Sequence, residues 1–288
     1  MATNSLFDLI ARGQPVVAPG VYDMISSKLA ERAGFPALYV SGYGISAAHL
    51  GLPDVGLMTF TDMLERVQVI ARNSGVPIIA DADTGYGGLI NLRHTVHGYE
   101  AAGVAAIQIE DQEFPKRCAH AQGVRVIDMK DMMRKIEVAC ESRSRDGFLV
   151  IARTDSLSEY GIDDAIQRAN SYAEAGADML FVEGAKTRDQ LAQIAAAIRA
   201  PMMVKMVPDS ADLSIDVREL GEMGYDVIIY PSFAFLAAGA AMDAGFVELC
   251  TRGRVSSTPI MEFDAFSKMI GFDEIYEFDA RWNDPSRD

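Results

Sequence analysis

Two short stretches bring together side chains able to hold a cation and move a proton. In Asp81-Ala82-Asp83-Thr84-Gly85-Tyr86-Gly87-Gly88, two carboxylates end an apolar run and open a glycine-rich loop. In Glu110-Asp111-Gln112-Glu113-Phe114-Pro115-Lys116-Arg117-Cys118-Ala119-His120, a carboxylate ends another apolar run and a thiol follows, flanked by two cations and an imidazole. Magnesium keeps several waters and takes one or two carboxylates together with substrate oxygens, so Asp54, Asp81, Asp83 and Glu110 can share its inner and outer shells. The plainer reading of Asp83 is a turn residue capping the next helix. Two acids in alternate positions, followed by Gly85, Gly87 and Gly88, favour the cation. Lys116 and Arg117 would lower the pKa of the Cys118 thiol and make it a proton donor or nucleophile near neutrality. Cys140 and Cys250 lie in helical patterns and read as inert, buried thiols.

These groups need a scaffold that delivers them from neighbouring strand ends. Eight compact apolar runs recur: 16–19, 37–41, 77–81, 105–110, 148–153, 178–183, 202–207 and 226–231. Helical-period segments separate them, the pattern of buried parallel strands with helical crossovers. Gly34, Gly75, Gly103, Gly147, Gly176 and Gly224 each sit between a helical pattern and the next run, where a helix ends on positive φ. The expected fold is α/β, a (β/α)8 barrel of the TIM type, formed by a single domain over residues 1–288. Catalytic groups of such barrels come from the C-terminal strand ends, here Ser41, Asp81, Asp83, Glu110, Arg153, Glu183, Lys205 and Ser232. Arg153 can offer two parallel donors to a carboxylate, or pair internally with Glu183. His94 and His97 belong to an ordinary crossover helix, and no P-loop lysine follows the Gly85–Gly88 glycines.

Two more helical stretches, 234–245 and 262–278, follow the eighth run, the latter with an apolar stripe of Phe263, Phe266, Met269 and Ile270. This extension, from about 233 to 288, is expected to pack on a neighbouring subunit of a dimer or tetramer. The chain of 288 residues carries 41 acidic against 26 basic residues, a formal charge of -15, which argues against nucleic acid or an anionic membrane as partner. An anionic substrate then requires local cations or a metal. Three unpaired cysteines suggest a reducing compartment, and the N-terminus has no basic segment leading into an apolar core, so a cytoplasmic location is expected. The longest run of apolar residues and glycine, 233–242, is ten residues, against the roughly 20 that span a bilayer.

Taken together, Tyr39-Val40-Ser41-Gly42, Asp81-Ala82-Asp83-Thr84-Gly85, Glu110-Asp111, Lys116-Arg117-Cys118-Ala119-His120, Ile151-Ala152-Arg153-Thr154-Asp155 and Glu262-Phe263 with the last helix resemble the isocitrate lyase/phosphoenolpyruvate mutase superfamily. The resemblance is to its lyase branch, which includes methylisocitrate and 2,3-dimethylmalate lyases, and it covers almost the whole chain. It implies a Mg2+-dependent enzyme, with Mn2+ as a substitute, cleaving a carbon–carbon bond of a di- or tricarboxylate through an enolate. It also implies terminal helices exchanged between subunits. Cys118 would be the general acid of a gate that includes Lys116, Arg117 and His120. Tyr39, Ser41 and Gly42 would hold the oxo-acid part, and Asp54, Asp81, Asp83 and Glu110 the ion. Arg153, Glu183 and His120 would position carboxylates.

Three departures bear on the substrate. Ala119 stands where the gate usually has glycine, Lys205 where these lyases usually have asparagine, and Val207 where they have a hydroxyl residue. Lys205 can bind a carboxylate as a point charge or pair with Glu183. Two alternatives to a lyase are an oxaloacetate-type 2-oxo acid decarboxylase, which needs the metal but no gate acid, and a non-catalytic ligand-binding barrel.

Overall fold

The structure, a computed structural model, describes residues 5–117, 123–207 and 215–283. Its strands are β1 (Val16–Val21), β2 (Leu38–Val40), β3 (Ile78–Asp81), β4 (Ala106–Glu110), β5 (Leu149–Thr154), β6 (Met179–Val182), β7 (Met202–Lys205) and β8 (Val227–Tyr230). All pair in parallel in chain order, and β8 returns to β1 through Val16 opposite Val227, which closes the expected barrel. The helices are α1 (Leu6–Ile10), α2 (Met24–Arg32), α3 (Gly42–Ile45), α4 (Phe60–Asn73), α5 (Leu89–Ala102), α6 (Met129–Ser142), α7 (Leu157–Tyr160), α8 (Ile162–Glu174), α9 (Arg188–Ala197), α10 (Val217–Met223), α11 (Phe233–Arg252), α12 (Phe263–Met269) and α13 (Phe272–Trp282), with a π-helical turn at Ser46–Leu50 after α3.

Strand side chains alternate between two faces, and two core clusters follow that alternation. Val16, Ala18, Tyr39, Ile79, Ala106, Ile151, Phe181, Met203 and Ile229 fill the barrel interior, where Leu6 and Leu9 of α1 join them. Val40, Ala80, Ile107, Ile109, Val150, Ala152, Leu180, Val182, Val204 and Ile228 pack outward with the helices. The interior positions continue, in steps of two residues, to Asp81, Glu110, Arg153, Glu183 and Lys205. Apolar layers thus fill the lumen and a charged layer caps it.

The alternation sends the two members of Glu110-Asp111 in opposite directions. Asp111 faces outward, where its carboxylate accepts hydrogen bonds from Tyr172 Oη at 2.7 Å, Thr154 Oγ1 at 2.7 Å and the Asp155 amide at 2.9 Å. Arg168 Nη1 lies 3.4 Å from the same carboxylate. Burial pushes the Asp111 carboxyl upward, and these donors oppose the shift.

Several boundaries differ from those expected. Gly34, Gly103, Gly176 and Gly224 do take positive φ, but Gly75 and Gly147 do not. There α4 and α6 end instead on extended Ser74 and Arg143. The 262–278 segment is two helices, broken where Gly271 takes φ 94°.

The chain divides into two compact units, Met1–Phe235 and Leu236–Asp288. Helix α11 runs on through Asp243 to 20 residues with mean hydropathy 1.5, so by length and composition it could cross a membrane, unlike the ten-residue run seen in the sequence. A helix covered by other protein passes the same test. Cys250 is exposed rather than buried, while Cys140 is half-buried and its thiol faces the Gly176 carbonyl at 3.1 Å. Within the second unit, Glu248 accepts hydrogen bonds from Ser256, Ser257 and Thr258, which hold its carboxyl down to about 2.

Because Tyr172 donates to a buried charge, Tyr172→Phe is expected to lower the unfolding free energy by about 1.5–3 kcal/mol, measured by urea denaturation. A loss under about 0.5 kcal/mol would place the strength of this network elsewhere.

Candidate active site

The charged layer is built from strand ends and from two segments that reach over them. Asp81 ends β3, and its Oδ1 accepts from the Asp83 amide at 3.1 Å, with Gln108 Nε2 at 3.5 Å. Asp83 sits at φ 48°, a conformation that aspartate tolerates better than most side chains, and the left-handed turn continues through Gly85, Tyr86 and Gly87. The turn is anchored from below: Tyr99 Oη donates to the Asp81 carbonyl at 3.2 Å, Tyr86 meets Tyr99 at 3.0 Å, and Thr95 donates to the Gly85 carbonyl at 3.2 Å. Lys135 Nζ caps the Thr84 carbonyl at 2.9 Å.

Across the mouth, Ser41 caps α3 by accepting from the Gly44 amide at 3.2 Å. A Cβ at Gly42 would stand 2.8 Å from Asp81 Oδ2, so this position needs glycine to let the backbone approach the carboxylate. Tyr39 lies beneath, its hydroxyl donating to Gln108 Oε1 at 3.1 Å. Burial, with Asp81 nearby, pushes the Tyr39 phenol well above its usual range. The phenol therefore stays protonated.

The cations are shared among the acids. Lys116 Nζ lies 2.8 Å from Asp54 Oδ1 and forms a second ion pair with Asp83. Arg153 grips Asp155 with two hydrogen bonds of 2.8 and 2.7 Å, and reaches Glu110 at 3.3 Å and Glu183 at 4.0 Å. Its guanidinium also stands 5.4 Å over the Phe181 ring. Lys205 pairs with Glu183, as one of its two readings anticipated. Among the described residues, Lys116, Arg153 and Lys205 thus form ion pairs with Asp54, Asp83, Glu110, Asp155 and Glu183, with Asp81 beside them.

The imbalance appears in the titration of the acids. Burial pushes Asp83 up to about 6 although Lys116 pulls it down, and burial holds Glu110 well above the usual carboxylate range against Arg153. Burial opposes the charges on Lys116 and Arg153, but the surrounding acids outweigh it and both are held well above their ordinary values. Glu110 Oε1 is buried without a hydrogen-bond partner among the described residues.

An orphaned carboxylate oxygen in an acid-rich, all-oxygen donor set suits a hard divalent cation. Among the described residues no three acids converge closely enough to enclose an ion by themselves. Magnesium does not require that, since water fills most of its coordination sphere.

Most of the sequence candidates meet here. Asp54, Asp81, Asp83, Glu110 and Lys116 form one group, Arg153, Glu183 and Lys205 a second, and Ser41 with Gly42 abuts Asp81. Cys118 and His120 lie outside the described residues. Arg117 is exposed, and its guanidinium lies near Gly123, so it does not share the buried position of Lys116. The Lys116 charge is paired with Asp54 and Asp83. Asp155 was the functional neighbour not singled out. Its signal was parity, because two residues beyond Arg153 on a strand face the same way.

The chain matches the family described as phosphoenolpyruvate phosphomutase over residues 6–250. It is 38% identical over 281 residues to 2,3-dimethylmalate lyase of Eubacterium barkeri, covering 96% of each chain. It is 39% identical over 277 residues to 2-methylisocitrate lyase of Aeropyrum pernix, covering 96% of this chain and 89% of that one. Among solved structures, a trigonal form of 2,3-dimethylmalate lyase superposes with a TM-score of 0.89 at 37% identity, covering 96% and 93% of the two chains. Oxaloacetate acetylhydrolase in complex with 3,3-difluorooxalacetate superposes with a TM-score of 0.91 at 34% identity, covering 96% and 95%. The fold and site define an α/β-barrel enzyme, and the chain belongs to the phosphoenolpyruvate phosphomutase family. Within the wider isocitrate lyase superfamily it stands with the carbon–carbon lyases.

Burial pushes Asp83 up to about 6, so a proton would compete with a cation held by this carboxylate as the pH falls. Mn2+ affinity, followed by electron paramagnetic resonance, is expected to drop about tenfold per pH unit below that point. Asp83→Asn should remove the dependence; an unchanged slope in this variant would assign the titration to another group.

Proposed function

We infer that this enzyme cleaves a 2-hydroxydicarboxylate related to 2-methylisocitrate or 2,3-dimethylmalate into a 2-oxo acid and a second carboxylate. The observation that carries the reading is one mouth holding both an excess of buried carboxylates and the Arg153 and Lys205 cations. Asp81, Asp83 and Glu110, with Asp54, would hold Mg2+ or Mn2+. When bound, that ion supplies Lewis-acid stabilisation of the negative charge that develops as the bond breaks.

The chain's own groups do the rest. Gly42 allows the Ser41–Gly42 backbone to approach the oxo-acid portion beside Asp81. Arg153, fixed by Asp155, and Lys205, fixed by Glu183, attract the distal carboxylate. As the carbon–carbon bond breaks, the hydroxyl gives its proton to one of the buried carboxylates of the mouth, its oxygen becomes the carbonyl of the 2-oxo acid, and the electron pair of the broken bond passes to the departing carbon. Cys118 donates a proton to that carbon, in surroundings to which His120 and Arg117 contribute. A cytoplasmic location and a homo-oligomer joined through the C-terminal helices belong to the same reading. The exposed Phe246, Phe263, Ile275 and Phe278 support the oligomer.

A second reading, cleavage of a 2-oxo dicarboxylate of the oxaloacetate kind, draws on the likeness to oxaloacetate acetylhydrolase. The two separate in one experiment: mass spectrometry of products from a panel of 2-hydroxydicarboxylates and oxaloacetate, with Mg2+, using wild type and Cys118→Ser. The expected result is a 2-oxo acid plus a second carboxylate from a hydroxy acid, with turnover falling about 10²–10⁴-fold in the variant. Full turnover by Cys118→Ser would overturn the proton-donor role. Oxalate and acetate from oxaloacetate would select the second reading, and CO2 from oxaloacetate would indicate a decarboxylase.

A further inference from the structure

The turn that carries Asp83 holds both non-glycine residues that take positive φ among the described residues, Asp83 at 48° and Tyr86 at 58°, and between them Gly85 stands at 89°. Such backbone is unfavourable for side chains other than glycine and persists only where its surroundings fix it. The contacts that fix it run carbonyl by carbonyl. Tyr99 Oη donates to Asp81 at 3.2 Å, the Gly85 amide to Ala82 at 2.8 Å, the Glu110 amide to Asp83 at 2.9 Å, Lys135 Nζ to Thr84 at 2.9 Å and Thr95 Oγ1 to Gly85 at 3.2 Å. Each carbonyl from 81 to 85 thus has a donor. Four of these five donors come from the turn itself, from β4 beside it or from α5, the helix into which it leads. The donor to Thr84 alone is charged, and it reaches in from α6, 51 residues further along the chain.

Lys135 lies three residues after Met132 and four before Ala139, both buried, so its stem follows the buried face of α6. It is half-buried, and among the described residues its ammonium forms no ion pair; Glu110 and Asp111 act on it from further off. Taking an ammonium out of water without a carboxylate beside it is unfavourable, and an apolar side chain would fill the same place at less cost. What the ammonium adds is the bond to Thr84, which pins the residue directly after Asp83.

We propose that Lys135, outside the barrel wall, is a positioning residue for the cation site: it fixes the Thr84 carbonyl and so holds the Asp83 carboxylate in place. The inference rests on the reading of Asp81, Asp83 and Glu110 as the cation site. It also fixes a sign. A positive charge near Glu110 and Asp111 repels a second cation, so a Lys135 acting only through its charge would weaken cation binding, and its removal would tighten it. A Lys135 acting through the turn strengthens binding, and its removal loosens it.

The test is Mn2+ affinity by electron paramagnetic resonance in the full-length wild type, Lys135→Met and Lys135→Arg, with hydrogen–deuterium exchange of the same proteins. Lys135→Met should bind Mn2+ about tenfold more weakly than wild type, the size of effect that follows loss of a group supporting a metal ligand. Its exchange should rise in peptides covering 81–88 and stay at the wild-type level in those covering α10. Lys135→Arg, which keeps a charged donor, should recover affinity. Equal or tighter Mn2+ binding by Lys135→Met would overturn the positioning role while leaving the cation site intact. A rise in exchange over the whole barrel, or a loss in Lys135→Arg as large as in Lys135→Met, would trace the effect to packing and overturn the role as well. Absence of Mn2+ binding by wild type would overturn the cation site and the inference with it.

Discussion

Among the described residues, six carboxylates crowd the mouth of the barrel beside three cations. Removing an ion from water costs several kcal/mol after relaxation, so such a cluster persists only where fixed cations offset it. Lys116, Arg153 and Lys205 supply that offset, each in contact with at least one acid. What they do not cover appears as the raised Asp83 and Glu110 and as the partnerless Glu110 Oε1. Such an acid-rich, all-oxygen donor set suits a hard divalent cation. Such preorganised fields are the kind of arrangement that stabilises charge developing in a transition state.

The same arrangement explains how a chain with formal charge -15 can act on an anion. Long-range attraction works against a dicarboxylate here, so recognition has to be local. Arg153 is pre-aimed by the two hydrogen bonds to Asp155 and backed by the Phe181 ring, and so loses little freedom when it meets a ligand. Lys205 is a compact charge partly neutralised by Glu183. It attracts a carboxylate without the directional pairing that an amide at that position would give.

Much of this was legible in the sequence, because a parallel barrel turns a linear code into a radial one. A run such as Ile79-Ala80-Asp81 states both which residue fills the lumen and which acid reaches the mouth, and the eight runs assembled as that code requires. Reading only the last residue of each run, however, passed over Asp155, which parity places beside Arg153. Gly75 and Gly147 misled because a glycine between helix and strand permits positive φ without enforcing it. The helical stretch expected over 234–245 runs on to Arg252, because a glycine such as Gly245 inside a helix weakens the backbone ladder without stopping it. The commitment of Lys116 to Asp54 and Asp83 was not legible either. That contact joins residues 62 and 33 positions apart in sequence, and no local pattern reports it.

The neighbours Glu110 and Asp111 link the stability of the barrel to its chemistry. One carboxylate faces the cation site and the other holds Thr154, Asp155 and Tyr172 on the outside of the same strands. Asp155 stands in both systems, receiving its backbone position from Asp111 and giving its carboxylate to Arg153. A change in the outer network therefore reaches the mouth through Asp155 and Arg153, and through Arg153 to Glu110. The barrel wall and the charged mouth share these bonds, so the outward-facing packing of β4, β5 and α8 also sets the direction of Arg153.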